Sequence, residues 1–300
     1  MLKMKNLLVE APEDVAADIE KAQTGGLATA VSIFSKIASD PDFQKIANAG
    51  KTDGDEGDEV ISVKDTTTKA SDLYATQMEI GFDKSLKDAM TNEYKCVDYA
   101  FESKVLMGSP DGRIPLLTAQ VAGKKVVLDG HHRWSLAFMI NPEANLAVTE
   151  MQMPSGATDE DALIIMQMAI AAKAGDVQTK TISGQDLMKV GSDIVKKYVL
   201  ENIAPEGIEA FKKADAKLDS AEAIAEHMAE AHKTILKRKG EFERAIMPQA
   251  GKSGTDQDTV NTSLGQGAIN FSEPKPGDVK EEGVSVKLKE HFQRIANIKG

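Results

Sequence analysis

The hydrophobic pattern of the chain is clearest between residues 124 and 140. Residues 126–128 form a short apolar run with two β-branched members, which is typical of a buried strand. Gly130 follows, and over residues 132–140 most apolar positions recur at intervals of three and four, which indicates one apolar helical face. Asn141-Pro142 would end that helix. The pattern therefore predicts a strand, a turn at a single glycine and a helix.

Weaker patterns predict the rest of the architecture. Helices are expected at about 11–38 with a break at Gly25-Gly26, and at 97–107, 159–172, 184–202, 205–217 and 219–239. Strands are expected at 113–121 and 145–154, and 77–83 is a strand or a loop. We therefore divide the chain into a helical N-terminal arm (1–48), an acidic flexible linker (49–74), a mixed-sheet domain (75–175), a helical domain (176–248) and an extended or disordered tail with a short terminal helix (249–300).

Composition narrows the class of protein. The 300 residues are 41% hydrophobic, which is enough for a sizeable core. The formal net charge of −11 argues against a surface that lies broadly on nucleic acid. Cys96 is the single cysteine, so an intramolecular disulfide is excluded and a reducing compartment fits. Without a signal-like or membrane-length apolar run, we expect a soluble protein of the cytoplasm and no membrane partner.

Candidate chemistry lies at the predicted glycine turn. Asp129, His131, His132 and Arg133 surround Gly130 where a helix would begin, and the amides and dipole of a helix N-terminus favour an anion. The alternative from the residues alone is that Asp129 caps the helix and Arg133 pairs with an acid. Two adjacent histidines on a regular helix cannot both face one ligand. They also lack nearby cysteine or histidine partners, so we expect no protein metal site.

The same residues carry a resemblance to a known superfamily. The segment Gly130-His131-His132-Arg133-Trp134-Ser135-Leu136-Ala137 resembles the Gly-x-x-Arg-Trp-x-x-Ala signature of the ParB/sulfiredoxin superfamily. The Asp-Gly-His-His-Arg form at 129–133 is similar to the branch that contains free-serine kinase-like proteins. Flanking segments bring the match to about residues 75–173. It implies an α/β (α+β) fold with a small mixed sheet, and a nucleotide or phosphate bound by Asp129, Gly130, His131, His132, Arg133 and Ser135.

The resemblance also implies an activity. An NTPase or phosphotransferase of this kind would use Mg²⁺ with CTP, ATP or ADP, and its general base would be Glu79 or Asp83. From the residues alone, both acids are equally consistent with a solvated surface. Sulfiredoxin chemistry is not expected, because His131 stands where that chemistry needs a cysteine.

Two further functions remain open. One is a non-catalytic structural or interaction protein, for instance a bacteriophage virion-associated protein, located in the host cytoplasm or the virion, with helical arms that form a homo-oligomer or hold protein neighbours. The other is a ParB-type DNA-binding protein, which the net charge disfavours. The one basic cluster is Lys233, Lys237, Arg238, Lys239 and Arg244. It fits either the C-terminus of a helix, where cations are favourable, or a contact with nucleic acid or with an acidic neighbour, including residues 53–59 of another copy.

Overall fold

The computed structural model describes residues 13–48, 61–91, 94–101, 115–153 and 155–247, with the isolated positions 263 and 269. The helices of this part of the chain are α1 (Glu13–Thr24), α2 (Leu27–Ile37), α3 (Pro41–Ala47), α4 (Phe82–Thr91), α5 (Lys95–Phe101), α6 (His131–Ile140), α7 (Asp159–Ala174), α8 (Ser192–Asn202), α9 (Pro205–Ala214) and α10 (Ala221–Ile235). The strands are β1 (Ser62–Lys69), β2 (Leu73–Ala75), β3 (Leu116–Val121), β4 (Lys124–Asp129) and β5 (Asn145–Gln152). The predicted α/β class is confirmed.

The strands form one mixed sheet in the order β1-β5-β3-β4-β2. β3 and β4 are antiparallel neighbours joined by a tight turn at Ala122-Gly123. β5 runs parallel to β3, and β2 runs parallel to β4. The chain passes from β4 to β5 through α6, whose buried Trp134 and Phe138 belong to the same apolar cluster as Val127. The helix that follows the glycine turn is therefore anchored in the core.

Two compact units divide the chain. One consists of residues 63–152 and 179–247 and contains most of the sheet. The described helices of the other are α1, α2, α3 and α7. Within it α7 begins with a capping box between Thr158 and Asp161, and Leu27 N donates to Glu160 Oε1 at 2.7 Å. The predicted domain at 75–175 placed α7 with the sheet, whereas the structure groups it with the N-terminal helices because it packs against all three of them.

A buried polar side chain in α7 gives a stability prediction. Gln167 is fully buried, and within the described part of the chain neither atom of its amide has a hydrogen-bond partner. An unpaired buried polar group costs about 1–3 kcal/mol, and methionine has nearly the same shape. We expect Gln167→Met to raise the free energy of unfolding by about 1–2 kcal/mol, measured by urea denaturation.

Gln44 supplies the matched control for this substitution. Its amide Nε2 donates to Ala171 O at 2.8 Å and to Ala38 O, so this side chain is satisfied. Gln44→Met should therefore lower the free energy of unfolding by about 1–3 kcal/mol, because two carbonyl groups lose a donor. A loss of stability in Gln167→Met as well would contradict the assignment of Gln167 as unpaired.

Part of the predicted linker is instead strand. Residues 49–74 were expected to be flexible, but β1, the short turn Ala70–Asp72 and β2 lie within that range. β1 is rich in threonine, a β-branched residue that favours strands. Its exposed Lys64, Asp65 and Thr67 are polar, as suits a strand at the edge of a sheet. Because such a strand shows little apolar alternation, the hydrophobic pattern did not reveal it.

Several helix bounds also differ from those predicted. Of residues 77–83, which were predicted as a strand or a loop, 77–81 form a loop and the last two begin α4, a helix that the pattern did not indicate. α8 begins at Ser192 rather than at residue 184, because Asp186 Oδ1 accepts from Ile80 N and Met188 N, both at 3.0 Å, and holds this segment in a turn. The predicted helix at 97–107 is α5 as far as Phe101. Residues 102–107 and nearly all of the predicted tail at 249–300 lie outside the described residues.

Candidate functional site

The predicted turn has the expected backbone. Gly130 lies between β4 and α6 in a left-handed conformation with φ of 99°, and it is the N-cap of the helix. A side chain at this position would place its Cβ 2.3 Å from Leu116 Cδ2 and 3.1 Å from Arg133 Nη2. Only glycine fits such a turn without strain. The guanidinium group of Arg133 therefore lies back over the first turn of α6.

The N-terminus of α6 has no side-chain cap from its N-cap residue and no acidic residue in its first turn. Asp129 is the last residue of β4, one position before the N-cap. The first amides of a helix have no carbonyl partner within the helix, and the dipole places positive potential there. This end of α6 therefore carries the backbone features of an anion site.

The side chain of His131 is buried and makes a hydrogen bond within the protein. Its Nε2 lies 3.2 Å from Thr76 N, which donates to it. Burial, with the nearby positive charge of Arg244, lowers the pKa of His131 well below its ordinary value. His131 thus fastens the segment at Thr76 to α6, and it is not available to a ligand as the resemblance implied.

His132 points in a different direction from His131. Its ring lies against Gly81, where an added Cβ would be 3.1 Å from His132 Nε2. Burial, then Arg244 and Lys84, lower the pKa of His132 to about 4. The imidazole is therefore neutral at pH 7, and it remains half-buried at the edge of the turn.

Ser135 is also internal. Its side chain is fully buried, with Oγ 2.9 Å from Ser85 Oγ and 3.1 Å from His132 O. The Ser85 hydroxyl in turn donates to Gly81 O at 2.9 Å. These bonds join α4 to α6. The expectation that Ser135 binds phosphate is therefore not supported by its position, because the helix contact already uses its hydroxyl group.

The two candidate bases have different surroundings. Glu79 Oε1 lies 3.0 Å from Lys189 Nζ, and this hydrogen bond lowers the pKa of Glu79. A carboxylate held in an ion pair with a lowered pKa is a weak base. Asp83 lies exposed in the first turn of α4, and its Oδ2 would be 3.3 Å from a Cβ at Gly184. No contact that the structure describes joins Asp83 to the glycine turn.

Residues 240–244, which we call the strap, were not predicted to belong to this site. Phe242 N donates to Thr76 O at 3.1 Å, and Met78 N donates to Phe242 O at 2.8 Å. Gly240 N donates to Gln77 O at 3.1 Å. The strap thus lies along the segment that His131 holds, and it brings Arg244 close enough to lower the pKa of both histidines. In the sequence, Arg244 was noticed only as a member of the basic cluster. Because it is more than 100 residues from His131, the sequence pattern did not place the two residues together.

Other members of the basic cluster have structural contacts. The guanidinium of Arg238 lies 4.7 Å from the centre of the Tyr74 ring and 5.6 Å from that of Phe138. Lys233 Nζ lies 2.7 Å from Glu230 Oε2 on the same helix. These two cations therefore stabilise the C-terminal end of α10 and the edge of the sheet. Only Arg244 from this cluster acts on the turn histidines.

No protein-family model, curated protein or solved structure matches the chain. In the residues that the structure describes, no group of three or more histidine, cysteine, aspartate or glutamate side chains is arranged to hold a metal ion. Among the described helices, none is both long and apolar enough to cross a membrane.

Proposed function

We propose that this protein binds a phosphate-bearing ligand, a nucleotide in particular, at the N-terminus of α6. The observation that carries the proposal is the charge around the turn. Arg133 of α6 lies over Gly130, and Lys84 of α4 and Arg244 of the strap both act on His132. The helix dipole and these cations place positive potential at one point, which favours the binding of an anion there. The resemblance to the ParB/sulfiredoxin signature supports the same ligand class.

The ligand would be held by a smaller set of residues than the resemblance implies. The first-turn amides of α6 and the guanidinium of Arg133 would contact phosphate oxygens, because the guanidinium lies back over Gly130 at the start of the helix. Mg²⁺ is coordinated by carboxylates and phosphate oxygens together. Asp129 is the carboxylate at the turn, so it would be the protein ligand of a magnesium ion, which would supply further positive charge beside a phosphate.

In this proposal the protein binds the phosphate-bearing ligand but does not transfer a phosphoryl group. A transferase would need a base near the phosphate, and the ion pair of Glu79 with Lys189 leaves this acid poorly suited to that role. The burial of His131 and Ser135 favours a non-catalytic protein as well, because two of the six predicted ligand residues are used for packing. A structural or interaction protein that does not bind nucleotide is the second candidate.

Calorimetric titration separates these candidates. We expect saturable heat with CTP, ATP or ADP in the presence of Mg²⁺, and affinity at least about 10-fold weaker in Arg133→Ala, because a charged hydrogen-bonding group contributes about 1.5–3 kcal/mol. Lys212→Ala, which changes an exposed lysine of α9, is the control and should bind as the native protein does. No heat with any nucleotide from a folded sample would favour the structural candidate.

A further inference from the structure

A serine and a histidine far from the glycine turn in sequence form a second chemical constellation. Ser192 Oγ lies 2.8 Å from His232 Nδ1, and His232 Nε2 lies 2.8 Å from Leu187 O. A carbonyl oxygen only accepts, so Nε2 carries the ring proton and Nδ1 accepts from the Ser192 hydroxyl. A nucleophile bonded to a base, which is itself oriented by a third group, is the arrangement that activates serine in enzymes.

The surroundings of the pair suit this role. Ser192 is half-buried at the first position of α8, whereas His232 beside it is fully buried. Burial lowers the pKa of His232, so the ring is neutral and able to accept a proton at pH 7. The carbonyl of Leu187 opposes this shift, and it would stabilise the imidazolium that forms when the serine loses its proton.

The N-terminus of α8 supplies donors beside the serine. Ser192 is the first residue of α8, whose N-cap Gly191 makes no side-chain cap bond. The first backbone bond near this end is that of Ile194 N to Gly191 O, at 3.0 Å. The amides of Ser192 and Asp193 come before it, at the end of the helix where an oxyanion is favoured. The carboxylate of Asp193 also lies at this end, over Gly191, and opposes that effect.

We propose that Ser192 and His232 form a nucleophile–base dyad that accepts an acyl group from small carboxylic esters. Ser192 Oγ attacks the ester carbonyl and its proton passes to His232 Nδ1. The C–O bond to the alcohol then breaks, and the leaving alkoxide takes that proton. Water hydrolyses the acyl-serine by the same route, which releases the acid and restores the hydroxyl. This activity is separate from the phosphate site and does not depend on it.

Labelling with a fluorophosphonate tests the proposal. The serine oxygen would bond to phosphorus with loss of fluoride, and peptide mass spectrometry would locate the adduct. Ser220 is the matched control within the native chain, because it also begins a helix but accepts from Ala223 N at 3.2 Å. We expect Ser192 to be labelled at least about 100-fold faster than Ser220, the range that general-base catalysis contributes.

Three variants of the full chain complete the test. Ser192→Ala should abolish the adduct at this position and the hydrolysis of p-nitrophenyl acetate. His232→Gln keeps an amide that can bond to Ser192 and Leu187 but cannot act as the base, so labelling should fall to the rate of Ser220 while circular dichroism shows native helix content. Asp193→Asn should accelerate labelling, because it removes a negative charge beside the oxyanion. Labelling of Ser192 no faster than that of Ser220, or unchanged in His232→Gln, would overturn the proposal.

Discussion

Replacement of Gly240 by alanine is expected to detach the strap and to destabilise the protein by about 3 kcal/mol. An alanine Cβ would lie 2.1 Å from both the carbonyl carbon and the oxygen of Thr76, and 2.6 Å from Gln77 N. These are backbone atoms, so no side-chain rotation relieves the collision. Overpacking typically costs about 1–3 kcal/mol. Because backbone atoms cannot easily move aside, we expect a loss at the upper end of that range, about 3 kcal/mol.

Two measurements test this expectation. Urea denaturation gives the loss of stability, and Gly123→Ala is the control, because its φ of 78° strains alanine but no atom lies within 4 Å of the added Cβ. That control should lose only about 1 kcal/mol. NMR titration of His132 gives the second measure: once Arg244 moves away with the strap, the pKa of His132 should rise from about 4. Native stability of Gly240→Ala would contradict the pairing of the strap with Thr76.

The second large effect is a loss of stability in mild acid that comes from His132. Its ordinary pKa of 6.5 is lowered to about 4 in the folded protein by burial, by Arg244 and by Lys84. The unfolded chain therefore binds the proton more readily, so stability is fully present above about pH 6.5 and falls as the pH drops toward 4. Between pH 7 and about pH 4.5 this one group should remove about 2 kcal/mol.

His132→Gln isolates this contribution, because glutamine does not titrate. The variant should lose about 2 kcal/mol less than the native protein over the same pH interval, measured as the free energy of unfolding in urea. His131 titrates in the same direction, because burial also lowers its pKa, so the variant should keep part of the acid sensitivity. Parallel curves for the variant and the native protein would show that His132 is not the buried neutral group described.

Helices and strands could be predicted where the hydrophobic pattern of the segment itself was clear. The strand at 124–129 was predicted from its apolar run, the turn from Gly130, and the helix from apolar residues at intervals of three and four. All three elements are confirmed. The edge strand β1 could not be recognised, because its polar residues do not alternate with apolar ones. α7 was recognised as a helix, but it is apolar on nearly all sides, so its pattern did not indicate which elements it packs against.

The site was less predictable than the fold. The burial of His131 depends on Thr76, and that of Ser135 depends on Ser85, so neither could be inferred from the motif itself. Arg244 reaches the turn only because the strap pairs with Thr76 and Met78, which are distant in sequence. Whether a polar residue at the start of a helix is buried or exposed depends on which distant segment packs over it. The motif predicts a ligand site at the turn, but it does not indicate which of its side chains lie inside the protein.

Backbone amide NMR during titration with magnesium pyrophosphate tests the central claim most directly, because it observes the N-terminus of α6 without assuming a nucleoside. If phosphate binds at the glycine turn, saturable shifts will be largest at the amides of His132 and Arg133, with weaker ones at Lys84 and Arg244. Arg133→Ala should weaken this response by at least about 10-fold. Shifts absent from these amides, or concentrated in another part of the chain, would contradict a phosphate site at the glycine turn.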